Sequence, residues 1–237
     1  MVLGLGTFIR LELEVSEPEF LKISSCVFDR IHELEKKLSF FKPESEIAYL
    51  NAAEVGEWVT VSTDTLIVLK IAQKLEQDSD GAFSAGNSLV FNENQVQKIR
   101  YEKIDLGGIA KGYCVDEAWR EVISSASKLG INEIFGSINA GGDLYLHERA
   151  ATSILISGSH HNQIPHVLRV GAVATSSVCP DAAMSANYPR AKTSLKKTVS
   201  VEASAACVAD AMTKVVLFHP NPEPILSKWN AKLIYED

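Results

Sequence analysis

The sequence lacks the features that mark a membrane protein, a disulfide scaffold or a zinc protein. No run reaches the roughly 18 apolar residues that a membrane-spanning helix requires. The start of the chain has no basic segment followed by a long apolar run, so no signal peptide is expected. The four cysteines, Cys26, Cys114, Cys179 and Cys207, lie far apart and form no CxxC pair. The sequence therefore predicts a reduced chain in the cytoplasm.

Excess positive charge is also missing. Lysine and arginine total 23 against 30 aspartates and glutamates, which gives a net charge of -7. This balance argues against a surface that binds the phosphate backbone of a nucleic acid. It leaves room for a small phosphorylated ligand held by a few local groups.

The pattern of apolar residues predicts an α+β fold in one domain, residues 1–237. The chain is 46% hydrophobic and long enough to bury a sizeable core. Helices and strands mix without a strict βαβ order. Helices are predicted at 16–38, where Ser16 and Glu19 form a capping-box pattern, and at 63–77, 110–129 and 207–218. Strands are predicted at 10–15, 58–61, 98–106, 131–138, 153–157, 166–174, 197–201 and 232–235.

The segment Lys103-Ile-Asp-Leu-Gly-Gly-Ile-Ala-Lys-Gly112 carries the strongest local signal for a ligand. A predicted strand enters a Gly-Gly turn and a helix begins directly after it, so backbone N–H groups and the positive end of a helix dipole meet there. Lys111 adds a charge suited to a phosphate. Asp105 would repel a phosphate unless it meets a cation or a donor on the ligand. A surface turn in which Lys111 and Asp105 pair is the alternative interpretation.

Two further segments have weaker signals. Asn139-Ala-Gly-Gly-Asp143 marks a tight turn, which either presses against a ligand or is an ordinary β-turn. On the last predicted long helix, Asp210, Thr213 and Lys214 share one face. Aspartate and threonine oxygens suit Mg²⁺. The alternative there is a simple ion pair between Asp210 and Lys214.

Taken together and in order, these segments resemble the ApbE-like flavin transferases, which are FAD:protein FMN transferases. Members of that family cleave the pyrophosphate of FAD with Mg²⁺ and attach FMN through a phosphoester to a threonine or serine of a target flavoprotein. The resemblance covers most of the chain. It extends over Gly6-Thr7-Phe8, 38–47, Leu50-Asn51, 80–83, 104–116, 139–143, 174–176 and 209–211.

The resemblance implies an ApbE-like fold, FAD and Mg²⁺ as ligands, a flavoprotein acceptor as partner, and a set of site residues. Asp210 and Lys214 are the implied catalytic pair. The implied contacts to the flavin nucleotide are Leu5, Phe41, Ala82, Phe83, Ser84, Asp105 and Lys111. The implied metal ligands are Asp210, Thr213 and the carbonyl group of Gly108.

The sequence departs from the family pattern at several of these positions. Leu5 replaces a methionine, Phe41 a tyrosine and Ser84 an aspartate, and the usual His-Ile-Ile-Asp-Pro segment is not recognisable between residues 176 and 198. Lys214 stands where the family has a metal-binding threonine, and a charged lysine cannot ligate Mg²⁺. It could instead neutralise Asp210 or contact the phosphate. Three hypotheses are therefore considered: FMN transfer, with hydrolysis of the FAD pyrophosphate as its variant; flavin-nucleotide binding without catalysis; and a structural or interaction protein without a nucleotide site.

Overall fold

The computed structural model describes residues 1–86, 88–157, 163–178 and 198–237, and its elements follow mainly from the apolar periodicity. The helices are α1 (Glu17–Leu38), α2 (Glu46–Ala52), α3 (Thr63–Asp78), α4 (Ala110–Lys128), α5 (Ala206–Phe218) and α6 (Glu223–Lys228). The strands are β1 (Val2–Gly4), β2 (Thr7–Leu13), β3 (Trp58–Thr60), β4 (Leu89–Asn92), β5 (Gln95–Lys98), β6 (Gly136–Ala140), β7 (Asp143–Ser157), β8 (Gln163–Ser177), β9 (Thr198–Ala203) and β10 (Lys232–Glu236). None of the described helices is long and apolar enough to cross a bilayer.

The strands form two antiparallel sheets. The larger sheet has seven strands in the order β1-β2-β6-β7-β8-β9-β10, and the smaller has three in the order β3-β5-β4. In β2, Ile9 and Leu11 are buried while Arg10 and Glu12 are exposed, which is the alternation of a sheet with one covered face. The predicted α+β class is confirmed.

Helices α1, α4 and α5 cover one face of the large sheet. Ile23 and Val27 of α1 and Val122 of α4 pack with Ile138 of β6 in one core cluster. Helix α5 contributes Ala209 to that cluster, and its opposite side enters a second cluster with α2, α3 and the small sheet. Because α5 lies between two cores, its polar residues are buried as well.

Helices α4 and α5 approach each other unusually closely, and small residues allow it. A Cβ atom on Gly112 would lie 2.3 Å from the carbonyl oxygen of Ala206, so only glycine fits there. Across the same crossing, the carboxylate of Asp116 accepts hydrogen bonds from the N–H groups of Ala206 at 2.6 Å and Cys207 at 2.9 Å. A side chain of α4 therefore caps the N-terminus of α5.

Three predicted strands differ from the structure by five residues or more at one end. The strand predicted at 153–157 is only the end of β7, which begins at Asp143. Of the strand predicted at 98–106, only Lys98 lies in a strand, as the last residue of β5. Further along this segment, the backbone of Ile104 is hydrogen-bonded to the Asn51 side chain and not to a neighbouring strand. The strand predicted at 131–138 starts only at Gly136. The short elements β1, α2, β4 and α6 were not predicted, since few residues mark them. Most of the segment between residues 176 and 198 lies outside the described residues.

Candidate active site

A cavity of about 400 Å³ lies beside the N-terminus of α4. Four of the seven predicted flavin-nucleotide contacts line it, namely Leu5, Phe41, Asp105 and Lys111. The remaining lining residues are Gly6, Glu35, Leu38, Ser39, Phe40, Lys42, Gly107 and Ala110. An apolar and aromatic wall with a few converging polar groups is typical of a small-molecule site.

One wall of the cavity is the turn between β1 and β2. Leu5 (φ 55°) and Gly6 (φ 72°) both have left-handed backbone conformations, as a two-residue hairpin turn requires. The left-handed conformation is uncommon for leucine, and here the Glu35 carboxylate accepts a hydrogen bond from the Leu5 N–H at 3.1 Å. The same carboxylate pairs with Lys42 at 3.0 Å. Glu35 thus ties this turn to the segment that carries Phe41.

The opposite wall is the turn that precedes α4. Asn51 holds this turn in place, since its side-chain amide donates to the Ile104 carbonyl at 2.8 Å and accepts from the Ile104 N–H at 2.7 Å. The Asp105 carboxylate accepts from the Gly107 N–H at 2.9 Å. The N-cap position of α4 is Ile109, whose side chain cannot accept a hydrogen bond. The helix therefore begins at the cavity without a side-chain cap, and its dipole favours an anion there.

Lys111 pairs with Asp143 rather than with Asp105. Its Nζ lies 3.0 Å from Oδ2 of Asp143 and forms an ion pair with it. Beyond this ion pair, Oδ2 accepts no hydrogen bond from the described residues. Burial and the nearby Asp210 carboxylate raise the pKa of Asp143 to about 7, although Lys111 and Lys214 oppose the shift. Burial lowers the pKa of Lys111, but Asp143 and Asp210 outweigh it and raise that pKa above its ordinary value. The ammonium of Lys111 is thus held beside the cavity.

Asp210, Thr213 and Lys214 meet on one side of α5, as their spacing predicts. The Lys214 ammonium contacts Oδ1 of Asp210 and donates to its backbone carbonyl at 3.2 Å. It also donates to the Ser176 hydroxyl at 3.0 Å. The Thr213 hydroxyl is fully buried, donates to the Asp210 carbonyl at 2.6 Å and bonds the Ser176 hydroxyl at 2.7 Å. We call Lys111, Asp143, Asp210 and Lys214 the charged quartet.

The donor set at Asp210 does not fit the Mg²⁺ ion that the resemblance implies. The implied ligands are one carboxylate, the Thr213 hydroxyl and the Gly108 carbonyl, and the first two already bind protein donors or acceptors. An ammonium stands in contact with the carboxylate, and a cation adjacent to Mg²⁺ would repel it. Within the described ranges, no group of three or more His, Cys, Asp or Glu side chains could hold a metal ion.

The other predicted contacts lie away from the cavity lining. Phe83 is fully buried in the core and Ala82 is also buried. The Ser84 hydroxyl donates to Glu76 at 3.0 Å. Gly108 is buried in the turn before α4. The flavin contacts assigned to Ala82, Phe83 and Ser84, and the metal contact assigned to Gly108, stay predictions.

Sequence reasoning missed three residues that the structure brings to this region. Asp143 was noted only as part of a turn, yet it is the partner of Lys111. Ser176 was noted only as part of a family match, and it joins Thr213 to Lys214. Asp116 was noted only as the end of a family match, and its role as a cap was missed because its partners lie 90 and 91 residues away.

Solved structures resemble this chain over nearly its whole length. The ApbE protein of Thermotoga maritima superposes with a TM-score of 0.84 at 20% identity, over 100% of this chain and 94% of that one. A flavin transferase ApbE from Vibrio cholerae superposes with a TM-score of 0.77 at 17% identity, over 98% of this chain and 90% of that one. The apo form of the flavinyl transferase ApbE of Pseudomonas stutzeri superposes with a TM-score of 0.74 at 15% identity, over 95% of this chain and 90% of that one. These matches show that the fold is shared.

The family assignment comes from the sequence itself. Among curated proteins, none matches this sequence significantly. The model of the ApbE family matches residues 5–89 and 86–227, which include the cavity and the charged quartet. The chain therefore belongs to the ApbE family.

Proposed function

We propose that this protein binds FAD in the cavity at the N-terminus of α4 and transfers its FMN portion to a threonine or serine of a flavoprotein. The observation that carries the proposal is the meeting of Leu5, Phe41, Asp105 and Lys111 around that cavity in a chain of the ApbE family. Two of the similar solved structures are named flavin or flavinyl transferases.

The residues of the cavity suit the parts of FAD. Phe41 is 90% exposed and Leu5 lies beside it in the lining, so both offer apolar surface to a ring system. The Asp105 carboxylate can accept hydrogen bonds from ring or ribose donors. Lys111 and the start of α4 supply positive charge for the pyrophosphate. The ligand is thus placed with its phosphates toward the charged quartet.

The proposed reaction is a substitution at phosphorus. The acceptor hydroxyl attacks the phosphorus of the FMN half, a new P–O bond forms, and the bond to the AMP half breaks. AMP leaves with the bridging oxygen of the pyrophosphate, and the proton of the acceptor hydroxyl passes to the phosphate of the leaving AMP. Positive charge near the pyrophosphate stabilises the developing negative charge. In this chain that charge comes from Lys111 and from the ammonium of Lys214.

A second candidate function is binding of FAD without transfer. It is favoured by the contact between Lys214 and Asp210, which fills the position where catalysis in the family uses a metal. Hydrolysis of FAD is a variant of the transfer reaction in which water replaces the acceptor hydroxyl. The cytoplasmic location belongs to the same proposal, and Cys26, Cys114 and Cys207 are free thiols in agreement with it.

The test measures binding and transfer separately. FAD is titrated into the protein by calorimetry, and acceptor domains with exposed threonines are then incubated with protein and FAD and weighed by mass spectrometry. Transfer predicts an acceptor heavier by one FMN and release of AMP. Hydrolysis predicts FMN and AMP without a heavier acceptor, and binding alone predicts neither product.

Variants at the cavity show whether binding occurs there. Asp105→Ala and Lys111→Ala are expected to weaken FAD binding by roughly tenfold each, because each loses a charge-assisted contact. Lys22→Ala, on the exposed side of α1, is the matched control and should bind as the wild type does. Absence of FAD binding by the wild type would refute the proposal.

A further inference from the structure

The ammonium of Lys214 is surrounded by oxygen atoms. It contacts Oδ1 of Asp210, and it donates to the Asp210 carbonyl at 3.2 Å and to the Ser176 hydroxyl at 3.0 Å. An ammonium has three N–H donors, so all three have partners. Its side chain is 16% exposed and that of Asp210 is 2% exposed, which makes this a pair inside the protein.

The other oxygen atoms of Asp210 and the hydroxyl of Thr213 are engaged by protein groups. The second carboxylate oxygen of Asp210 faces the Gly112 N–H at 3.4 Å. The Thr213 hydroxyl donates to the Asp210 carbonyl and shares a hydrogen bond with Ser176. A divalent cation would have to break these hydrogen bonds before it could bind to the same atoms.

Each ammonium of the region faces an acidic group of the protein. In the charged quartet, Lys111 lies 3.0 Å from Asp143 and Lys214 is in contact with Asp210. Mg²⁺ prefers six oxygen ligands at about 2.0–2.1 Å and loses its water reluctantly. A fixed ammonium on its carboxylate ligand opposes such binding through both charge repulsion and occupied space.

From these contacts we infer that the Lys214 ammonium is a built-in cation at Asp210, and that this chain engages the pyrophosphate of a nucleotide without a divalent metal. The inference rests on the proposed function, because it assumes that the nucleotide of the cavity is FAD. Lys214 thereby sets the metal requirement of the site.

The first experiment measures metal binding without any nucleotide. Mn²⁺ is titrated into the protein and free Mn²⁺ is followed by electron paramagnetic resonance. The wild type is expected to bind no stoichiometric Mn²⁺ at millimolar concentration. Lys214→Thr removes the ammonium and provides a hydroxyl, so it is expected to bind one equivalent. Stoichiometric Mn²⁺ on the wild type would overturn the inference.

The matched control is another lysine paired with an aspartate four residues away on a helix. Lys74 pairs with Asp78 on α3 at 2.9 Å, and Lys228 pairs with the same oxygen at 2.9 Å. Lys74→Thr combined with Lys228→Thr therefore removes both ammonium groups from a carboxylate away from the cavity, and this control should bind no Mn²⁺. If the control bound as much Mn²⁺ as Lys214→Thr does, Mn²⁺ binding would follow from the loss of any lysine beside an aspartate and would not depend on the site at Asp210. That result would also overturn the inference.

The second experiment measures FAD affinity with EDTA and with Mg²⁺. The wild type is expected to bind equally, within twofold, in both conditions. Lys214→Thr is expected to bind at least tenfold more tightly with Mg²⁺, and Lys214→Arg, which keeps a cation, should remain independent of metal. A wild type that needs Mg²⁺ to bind FAD would overturn the inference and leave the proposed function intact.

The two proposals fail in different ways. If FAD does not bind in either condition, the proposed function falls, while the Mn²⁺ titration still decides whether Lys214 excludes a metal. If Lys214→Thr does not fold, as judged by its circular dichroism, the wild-type arms of both experiments decide the inference by themselves.

Discussion

The crossing of α4 and α5 has two buried carboxylates that differ in their partners. Asp116 of α4 accepts hydrogen bonds from the Ala206 and Cys207 N–H groups of α5 at 2.6 and 2.9 Å. Asp210 of α5 faces the Gly112 N–H of α4 at the longer distance of 3.4 Å and contacts the Lys214 ammonium. Each helix thus supplies a carboxylate to the first turn of the other, but only one of the two is satisfied by the backbone.

This difference in partners indicates a structural role for Asp116 and a role in ligand binding for Asp210. Backbone donors cannot move without unfolding the helix, so Asp116 is fixed in place. The main partner of Asp210 is the charged side chain of Lys214 rather than a backbone group. Burial raises the pKa of Asp116, and the two backbone hydrogen bonds oppose that shift. We therefore expect substitutions on the Asp116 side to change stability and those on the Asp210 side to change ligand binding.

The largest effect is expected where the two helices touch. Gly112→Val places its Cβ where the Ala206 carbonyl oxygen would be 2.3 Å away, and all three nearest atoms belong to the backbone. Because backbone cannot yield as a side chain can, we expect a loss of about 4 kcal/mol or more in the free energy of unfolding. Urea denaturation measures this loss.

The control for this variant is Ser127→Ala on the exposed side of α4, which should remain within about 0.5 kcal/mol of the wild type. If Gly112→Val were as stable as this control, the close approach of α4 and α5 would not exist as described, and the two carboxylates would not face each other's helices.

The next effect is a pH dependence that originates in the charged quartet. The pKa of Asp143 is raised to about 7 in the folded protein, so the folded state holds a proton that the unfolded state releases at lower pH. The free energy of unfolding should therefore fall as pH rises from 5 through 7. We expect Asp143→Asn to remove about 2 kcal/mol of this fall between pH 5 and pH 8.

Urea denaturation at four pH values between 5 and 8 gives the free energy of unfolding at each pH. The slope of that free energy against pH is compared between the wild type and the variant. Asp29→Asn, at an exposed position of α1, is the control and should keep the slope of the wild type. Equal slopes for wild type and Asp143→Asn would mean that the pKa of Asp143 is not raised in the folded protein.

A smaller loss is expected from the structural carboxylate. Asp116→Asn keeps the size of the side chain but turns an N–H₂ group toward one of the two backbone donors at the start of α5. One donor then lacks an acceptor, which costs about 2 kcal/mol in the free energy of unfolding. At temperatures where the variant is folded, its FAD affinity should equal that of the wild type by calorimetry. A loss of affinity without a loss of stability would reverse the roles assigned here.

These roles also show which parts of the site a sequence can reveal. Asp210, Thr213 and Lys214 could be placed together because an α-helix brings residues three and four apart onto one face. The turn before α4 could be found because two glycines precede a long periodic helix. In both cases the residues that form the sequence pattern are the same few neighbours in the chain that make the contacts.

Other parts could not be found, because their partners are distant in the chain. The segment 98–106 has the apolar content of a strand, but the Asn51 side chain takes the backbone groups of Ile104. Asp116 caps a helix that begins 90 residues later, and no local pattern distinguishes it from an ordinary surface aspartate. Lys111 has Asp105 nearer in sequence, yet it pairs with Asp143. Tertiary packing decides each of these contacts.

The carboxylate of Asp210 should behave differently from that of Asp116. Asp210→Asn keeps an oxygen that can accept from Lys214 but leaves the ammonium of this buried pair without its opposite charge, so we expect a loss of about 2 kcal/mol in the free energy of unfolding. Removing the negative charge leaves the Lys214 ammonium uncompensated, which under the proposed function strengthens its attraction for a pyrophosphate. FAD measured with EDTA should then bind roughly threefold more tightly than to the wild type. Weaker binding would mean that Asp210 needs its charge to hold a cation other than Lys214.

The smallest effect is expected at an exposed cap, which tests whether burial is what makes Asp116 important. At the start of α1, the Glu19 carboxylate accepts from the Ser16 N–H at 3.0 Å and from the Ser16 hydroxyl at 2.6 Å. Ser16→Ala removes only the hydroxyl bond, and water can replace it at this exposed site, so we expect a loss of about 0.5 kcal/mol by urea denaturation. A loss equal to that of Asp116→Asn would mean that capping, and not burial of the donors, sets the cost, and the Asp116 side of the crossing would then be an ordinary helix cap.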